Sequence, residues 1–147
     1  MIRRVFACAA ALAAITAVAG CGPTSNKDSS GAFRGEQRLV ANAVEDLQSA
    51  GQRHRASKIC GELLSAALVR KIGDASGAAH KTCSQRLKKS LDDADDFELT
   101  VKRVAISGKT ATAVVVSGAS GSSDRRTDSV RLVKEGRPAR WRIAALP

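Results

Sequence analysis

Cysteine is the residue type in this sequence with the widest range of chemistry, and its four copies stand in different surroundings. Cys8 lies in an uncharged apolar stretch, and Cys21 stands between small residues and a polar segment. Cys60 and Cys83 belong to a later region in which charged and apolar residues are mixed. A thiolate can act as a nucleophile, ligate a metal or form half of a disulfide. The segment that carries each cysteine decides between these roles.

Residues 1–20 have the pattern of an export signal. Arg3 and Arg4 give a short basic start, and residues 5–19 carry no charge. An apolar run of about 15 residues is shorter than the ~20 that a membrane-spanning helix needs, but it matches the core of a secretory signal. We therefore expect residues 1–20 to be a signal peptide that the mature chain lacks. The two arginines do not tell which export route is used.

The end of this segment, Val18-Ala19-Gly20-Cys21, resembles the lipobox of bacterial lipoproteins. In that family the Cys thiol takes a diacylglyceryl group as a thioether, and a peptidase then cuts before the modified Cys. The resemblance implies cleavage between Gly20 and Cys21 and an anchor at Cys21 on the extracytoplasmic face of the cell membrane. Two buried acyl chains are enough for stable anchoring. The alternative is an ordinary secretory signal followed by an incidental cysteine.

Cys60 and Cys83 are the pair that remains in the exported part of the chain. Two thiols in an oxidising compartment predict a disulfide, and closing a loop of about 24 residues would stabilise the fold by about 3 kcal/mol. A metal site and a redox pair are the alternatives. The sequence has no Cys-x-x-Cys near either thiol, and only His54 and His80 are available as histidine ligands, so a zinc site has little support.

The chain divides into three segments on this basis: residues 1–20 as the lipoprotein signal, 21–34 as the lipidated Cys with a flexible tether, and 35–147 as the folded domain. Residues 22–34 are polar and rich in Gly and Ser, and such a composition cannot bury enough apolar surface to order itself. The tether is therefore predicted to be a spacer between the lipid and the domain.

Apolar residues at three- and four-residue spacing predict helices in the first part of the domain. The predicted helices cover residues 35–55, 57–64, 65–72 and 78–93. Ser57 and Ser65 are placed to cap two of them. Cys83 shares a four-residue spacing with Leu87 and Leu91, which predicts that its thiol faces inward.

The period of the apolar residues changes to two near Phe97, which predicts strands. The predicted strands lie near residues 97–106, 110–117, 127–134 and 140–145. Val101 and Val104 are out of phase, so the slip at Lys102-Arg103 predicts a β-bulge or a bend. Helices followed by adjacent antiparallel strands predict an α+β fold, with helices packed on a curved sheet of about four strands.

Residues from about 36 to 146 resemble the small NTF2-like domains of actinobacterial lipoproteins. The features that carry the resemblance are the helix over 40–50, the Cys60…Cys83 pair, the acidic run before Phe97, and the closing Val130–Gly136 segment with Trp141-Arg142-Ile143. The resemblance implies a cone-shaped sheet wrapped around a helix, often with a cavity. It implies no activity, because that fold carries enzymes, binding modules and scaffolds alike.

Trp141 is the side chain that could line such a cavity, together with Phe97 and Ile143. The alternative is that these three residues are plain core. If the three side chains line a cavity, its ligand would be a small apolar molecule. The alternative is that the domain binds a protein partner of the envelope.

Catalytic candidates are few, because the sequence has no Tyr and two His. His54 is predicted to lie at an exposed helix end, and His80 near the start of a helix beside Lys81. Either could serve an enzyme as general base, and a surface position is the alternative. We expect no catalytic residues and no cofactor, and we keep a cone-fold enzyme with a pocket His or Asp as an alternative.

A cluster of carboxylates surrounds the junction between the last helix and the first strand: Asp92, Asp93, Asp95, Asp96 and Glu98. Carboxylates are calcium ligands, but a calcium loop needs a central Gly that this cluster lacks. We expect no metal site, and we expect the cluster to pair with neighbouring cations such as Lys88 and Lys102.

The whole sequence has a net charge of +10, which falls by two when Arg3 and Arg4 leave with the signal. A basic surface outside the membrane attracts anionic lipid and wall polymers. Binding of such polyanions is one interpretation, and a solvated arginine-rich surface is the other. We expect no nucleic-acid partner, because the compartment is wrong and aromatic residues for base stacking make up only 3% of the chain.

Overall fold

The computed structural model describes residues 29–73, 79–93, 97–119, 121 and 123–147. The predicted signal, the lipobox with Cys21, and the carboxylates Asp95 and Asp96 lie outside these residues. Of Phe97 the structure describes the backbone alone.

Within the described ranges, four α-helices precede the sheet. They are α1 (Gly35–Gln52), α2 (Ala56–Lys58), α3 (Ala66–Gly73) and α4 (Ala79–Asp92). A 3₁₀ turn at Ser30–Ala32 precedes α1, and α2 continues into a π-helical turn at Ile59–Leu63. Among the described residues, no helix is both long enough and apolar enough to cross a membrane.

The longest helix, α1, presents one apolar stripe to the core. Val40 and Val44 on this stripe are fully buried, and Leu47 nearly so. The helix ends at Gln52, and His54, two residues further on, has a φ of 51°. The backbone N–H of His54 donates to Gly51 and that of Arg55 to Ala50, which is the hydrogen-bond pattern of a Schellman motif.

The four strands are β1 (Phe97–Ser107), β2 (Thr110–Ala119), β3 (Arg126–Glu135) and β4 (Arg140–Ala145). They form one antiparallel sheet in the order β1-β2-β3-β4, so each strand pairs with its neighbour in sequence. The β1–β2 turn has two residues, and the first of them, Gly108, has a φ of 56°. Glycine suits this position because the hairpin turn requires positive φ there.

The predicted irregularity in β1 is confirmed as a β-bulge. Val101 pairs with Val115, and Arg103 pairs with Val114, which leaves Lys102 as the extra residue. The bulge brings Val101 and Val104 to the same face of the sheet, and both are buried. Without it, one of the two valines would face solvent, because side chains alternate along a regular strand.

The free edge of β1 is covered by side chains from the segment before it. Gln48 accepts a hydrogen bond from the Leu99 amide (2.9 Å), and Ser29 accepts one from the Val101 amide (3.1 Å). Gln37 donates to the Val104 carbonyl (3.2 Å). Unpaired edge groups invite pairing with another chain, so these side chains blunt the edge.

Residues 29–34, the described end of the segment that we assigned to the tether, contact the domain. Ser30 is buried, and Phe33 packs against the core. Glu45 holds this end, because its Oε1 accepts hydrogen bonds from Ser29 Oγ (2.9 Å) and from the Ser30 amide (2.7 Å).

The hydrophobic core lies between the helices and one face of the sheet, as the predicted α+β architecture requires. Cys60 and Cys83 are both fully buried and are joined as the predicted disulfide, with Cα atoms 6.1 Å apart. The bond links the π-helical turn to α4. The sheet is open, with helices against its inner face and edge.

Candidate functional site

A groove lies between α3 and β4 and is lined by described residues alone. Its volume is about 280 Å³. The lining comes from one face of α3, from β3, from β4 and from the residue after β4: Ala67, Leu68, Lys71, Arg131, Ala144, Ala145 and Leu146. We call it the α3–β4 groove.

The position of α3 beside β4 depends on a short backbone contact. The Ser65 amide donates to the Ile143 carbonyl (2.8 Å), and Leu64 forms a parallel bridge with Ile143. This pairing covers the middle of the edge strand β4 and holds the start of α3 against it. After Ile143, β4 forms one side of the α3–β4 groove and α3 forms the other.

Two side chains cap α3 and so fix its direction. Ser65 Oγ accepts a hydrogen bond from the Leu68 amide (3.2 Å), and Glu135 Oε1 accepts one from the Ala66 amide (2.8 Å). The N-terminal amides of a helix have no partner within the helix, so such acceptors stabilise it. The predicted cap at Ser65 is confirmed, and the contribution of Glu135 comes from the distant β3–β4 hairpin.

The lining combines an apolar floor with two cations. Leu68 is half-buried, and Leu146, one of the two large apolar side chains that are exposed among the described residues, has 48% of its surface accessible. Lys71 and Arg131 are exposed and come from different elements. No carboxylate is among the residues that line the groove. The site can therefore take an apolar group, and it offers positive charge beside that group.

Trp141 and Ile143 lie in the core and do not line this groove. Trp141 is 6% exposed and Ile143 is fully buried. Lys134 Nζ lies over the Trp141 ring, 5.8 Å from its centroid, and forms an ion pair with Glu36 of α1. The predicted cavity of Trp141, Ile143 and Phe97 stays a prediction, because the side chain of Phe97 lies outside the described residues.

Both histidines are exposed. His54 Nδ1 lies 3.5 Å from Asp92 Oδ1, and about half of each side chain is accessible to solvent. His80 lies in the first turn of α4. Neither histidine lines the α3–β4 groove, so neither is a candidate general base at this site.

The acidic cluster is spread over different partners where it is described. Asp92 faces His54, and Glu98 forms an ion pair with Arg125 (3.4 Å) rather than with the neighbouring lysines that we expected. Glu98 therefore reaches across the sheet to the β2–β3 connection. Within the described ranges, no three His, Cys, Asp or Glu side chains are grouped closely enough to hold a metal ion.

The side of the sheet that faces away from α1 is the second candidate surface. We call it the outer sheet face, and the strand register assigns to it Arg103 of β1, Thr112 and Val114 of β2, and Ser129 and Arg131 of β3. Arg103 and Arg131 are exposed. This face meets the α3–β4 groove at Arg131, which pairs with Ala145.

The groove cannot be predicted from the sequence because its residues belong to three separate segments. Periodicity predicts a helix at Leu68 and a strand at Arg131, but nothing in their spacing shows that the two elements meet. The alternation around Val130 and Leu132 does place Arg131 on the outer sheet face. No protein-family model and no curated protein matches this chain by sequence.

Proposed function

We propose that the protein is a cell-envelope lipoprotein, held by Cys21 to the extracytoplasmic face of the membrane. Its domain, which we take to be NTF2-like and non-catalytic, binds a protein partner or a small apolar ligand. The observation that carries the binding role is the α3–β4 groove with its exposed apolar lining. The support for the anchor is the Val18-Ala19-Gly20-Cys21 motif after a signal-like segment.

The groove supports a binding role because its apolar surface is left uncovered while comparable residues are buried. Among the described residues, the large apolar side chains that are exposed are Leu146, in the groove, and Leu39, on α1 outside it. Burying an exposed leucine in a partner is worth roughly 1.5–3 kcal/mol. A ligand that covers Leu68 and Leu146 gains part of this contribution, because both side chains are already partly buried.

Cross-linking in cells tests whether the groove is occupied. The photoreactive residue p-benzoylphenylalanine replaces Leu146 in one strain and Leu39 in the matched control, which is equally exposed but lies outside the groove. We expect a discrete adduct from position 146 that is absent at position 39. Equal labelling at both positions, or none at 146, would contradict a binding role for the groove.

The anchor is tested separately by Cys21→Ser. We expect the variant to leave the membrane fraction or to stay unprocessed, because the hydroxyl cannot form the thioether. Cys8→Ser is the matched control, since Cys8 lies within the discarded segment, and it should stay membrane-bound and processed. A Cys21→Ser chain that is still processed and membrane-attached would rule out this anchor.

A basic module for anionic lipid or wall polymers is a second candidate function. The exposed Arg103 and Arg131 on the outer sheet face favour it, because the residues that pair with them in β2 are uncharged. Binding to anionic vesicles should weaken strongly between about 0.05 and 0.5 M salt, as expected for exposed charges. Salt-independent binding would contradict this candidate.

A further inference from the structure

We propose that the α3–β4 groove binds a single-chain anionic amphiphile, with the acyl chain on the apolar lining and the anionic head at Lys71 and Arg131. This inference rests on the proposed function, because it names the ligand of the same groove. A fatty acid and a lysophospholipid share the required chemistry, namely one chain and one anionic head.

The size of the groove favours one chain. Pockets for drug-sized ligands span roughly 300–1,000 Å³, and this groove has about 280 Å³. Three of its lining residues are alanines, which leave room between the helix and the strand: Ala67, Ala144 and Ala145. The larger Leu68 and Leu146 supply most of the apolar contact. A lipid with two chains would exceed this space.

The charges of the groove converge from two elements. Lys71 lies on the same face of α3 as Ala67 and Leu68, because residues three and four apart are neighbours on a helix. Arg131 projects from the outer sheet face beside Ala145. Both cations thus border the apolar lining, and neither belongs to the ion pairs that the described residues form.

Neither acidic side chain of β3 neutralises these cations. Asp128 lies three residues from Arg131, so its side chain is on the opposite face of the strand. Glu135 lies four residues from Arg131, about 13 Å along an extended strand, and its Oε1 is held by the Ala66 amide. A neutral ligand that covered Lys71 and Arg131 would remove water from two charges without compensation, which is unfavourable. An anionic head supplies the missing charge, so charge complementarity selects an amphiphilic anion.

The test uses the full lipidated chain in phosphatidylcholine nanodiscs. A fatty acid with a diazirine near its methyl end is photolysed with the protein, and the labelled residues are mapped by peptide mass spectrometry. We expect adducts at residues 67–68 and 144–146. Unlabelled fatty acid and lysophosphatidic acid should both compete, whereas a neutral monoacylglycerol should not.

Variants separate the head site from the chain site. Lys71→Gln and Arg131→Gln should each weaken labelling about two- to fivefold, and the double variant about tenfold, as for exposed charge pairs. The matched control is the double variant Lys102→Gln/Arg126→Gln, which removes the same two charge types from exposed sites outside the groove.

Ala67→Phe tests the site of the acyl chain and should block labelling. Ala66→Phe, one residue outside the lining, should not.

Three results would overturn the inference. If monoacylglycerol competes as well as the anions, the groove is a plain apolar site, and the proposed function survives without the charge selection. If labelling persists unchanged in Ala67→Phe, the fatty acid does not bind in the groove. An adduct at position 146 in cells together with no fatty-acid labelling would identify a protein partner instead and would reject the amphiphile.

Discussion

His54 is the one residue other than glycine with positive φ among those described. A left-handed backbone brings Cβ close to the following carbonyl oxygen and costs roughly 1–2 kcal/mol for most residues. The Schellman hydrogen bonds at the end of α1 require this conformation, so the fold holds His54 there. The Asp92 side chain, 3.5 Å away, gives the imidazole a partner at an exposed position.

Replacing His54 therefore separates backbone strain from the side-chain contact. We expect His54→Gly to be more stable than His54→Ala by about 1 kcal/mol, because both lose the Asp92 contact but only glycine removes the left-handed penalty. Urea unfolding of the two variants measures the difference. An alanine variant as stable as the glycine variant would show that the conformation at residue 54 is not strained.

At the scale of elements, the bulge in β1 sets which residues reach the core. Deleting Lys102 leaves Val101, Arg103 and Val104 in perfect alternation, so both valines keep their inward positions. Deleting Ala105 instead forces either Ile106 to the outer face or Arg103 into the core.

We therefore expect opposite outcomes from two single-residue deletions in the same strand. Deletion of Lys102 should preserve the fold at a cost below about 2 kcal/mol, since only the local bend is lost. Deletion of Ala105 should cost at least about 3 kcal/mol or prevent folding, because a buried charge or a lost core residue follows. Circular dichroism and urea unfolding compare the two. Equal losses of stability would contradict the role assigned to the bulge.

One carboxylate of α1, that of Glu45, accepts two hydrogen bonds from residues 29–30. Glu45→Ala should lower hydrogen-exchange protection of the Ser30 amide by about tenfold, because a hydrogen bond to a charged acceptor contributes roughly 1.5–3 kcal/mol. Glu45→Gln keeps an acceptor oxygen and should lose less. If both variants leave the exchange rate of Ser30 unchanged, the Glu45 contact does not hold this segment.

Periodicity predicted the elements of this chain well, because a three-to-four or two-residue repeat reflects which side of one element is buried. The helix around Val40 and Val44, the slip at Lys102 and the inward thiol of Cys83 all follow from such local patterns. The α3–β4 groove does not follow from any local pattern. It depends on where α3 docks, and the Ser65–Ile143 hydrogen bond that fixes this docking joins residues far apart in sequence. Lys71 and Arg131 face outward on different elements, and no periodic pattern in the sequence indicates that they border the same groove.

At the scale of the whole molecule, the disulfide ties the last helix to the rest. The α4 helix packs mainly against α3 and α2 rather than on the sheet. Cys60→Ala/Cys83→Ala should lower the free energy of unfolding by about 3 kcal/mol, since the unfolded chain loses a closed loop. Hydrogen exchange should rise first in α4. A variant whose β2 amides exchange before those of α4 would contradict this picture.

The central claim is that the chain is anchored at Cys21 and holds a ligand in the α3–β4 groove. Native mass spectrometry of the protein taken from membranes tests this claim most directly. We predict a chain that begins at Cys21, carries a diacylglyceryl group and holds one further mass that dissociates on mild activation. That mass should be present in the wild type and in Ala66→Phe and absent from Ala67→Phe. A chain that starts elsewhere, or a bound mass unaffected by Ala67→Phe, would contradict the account.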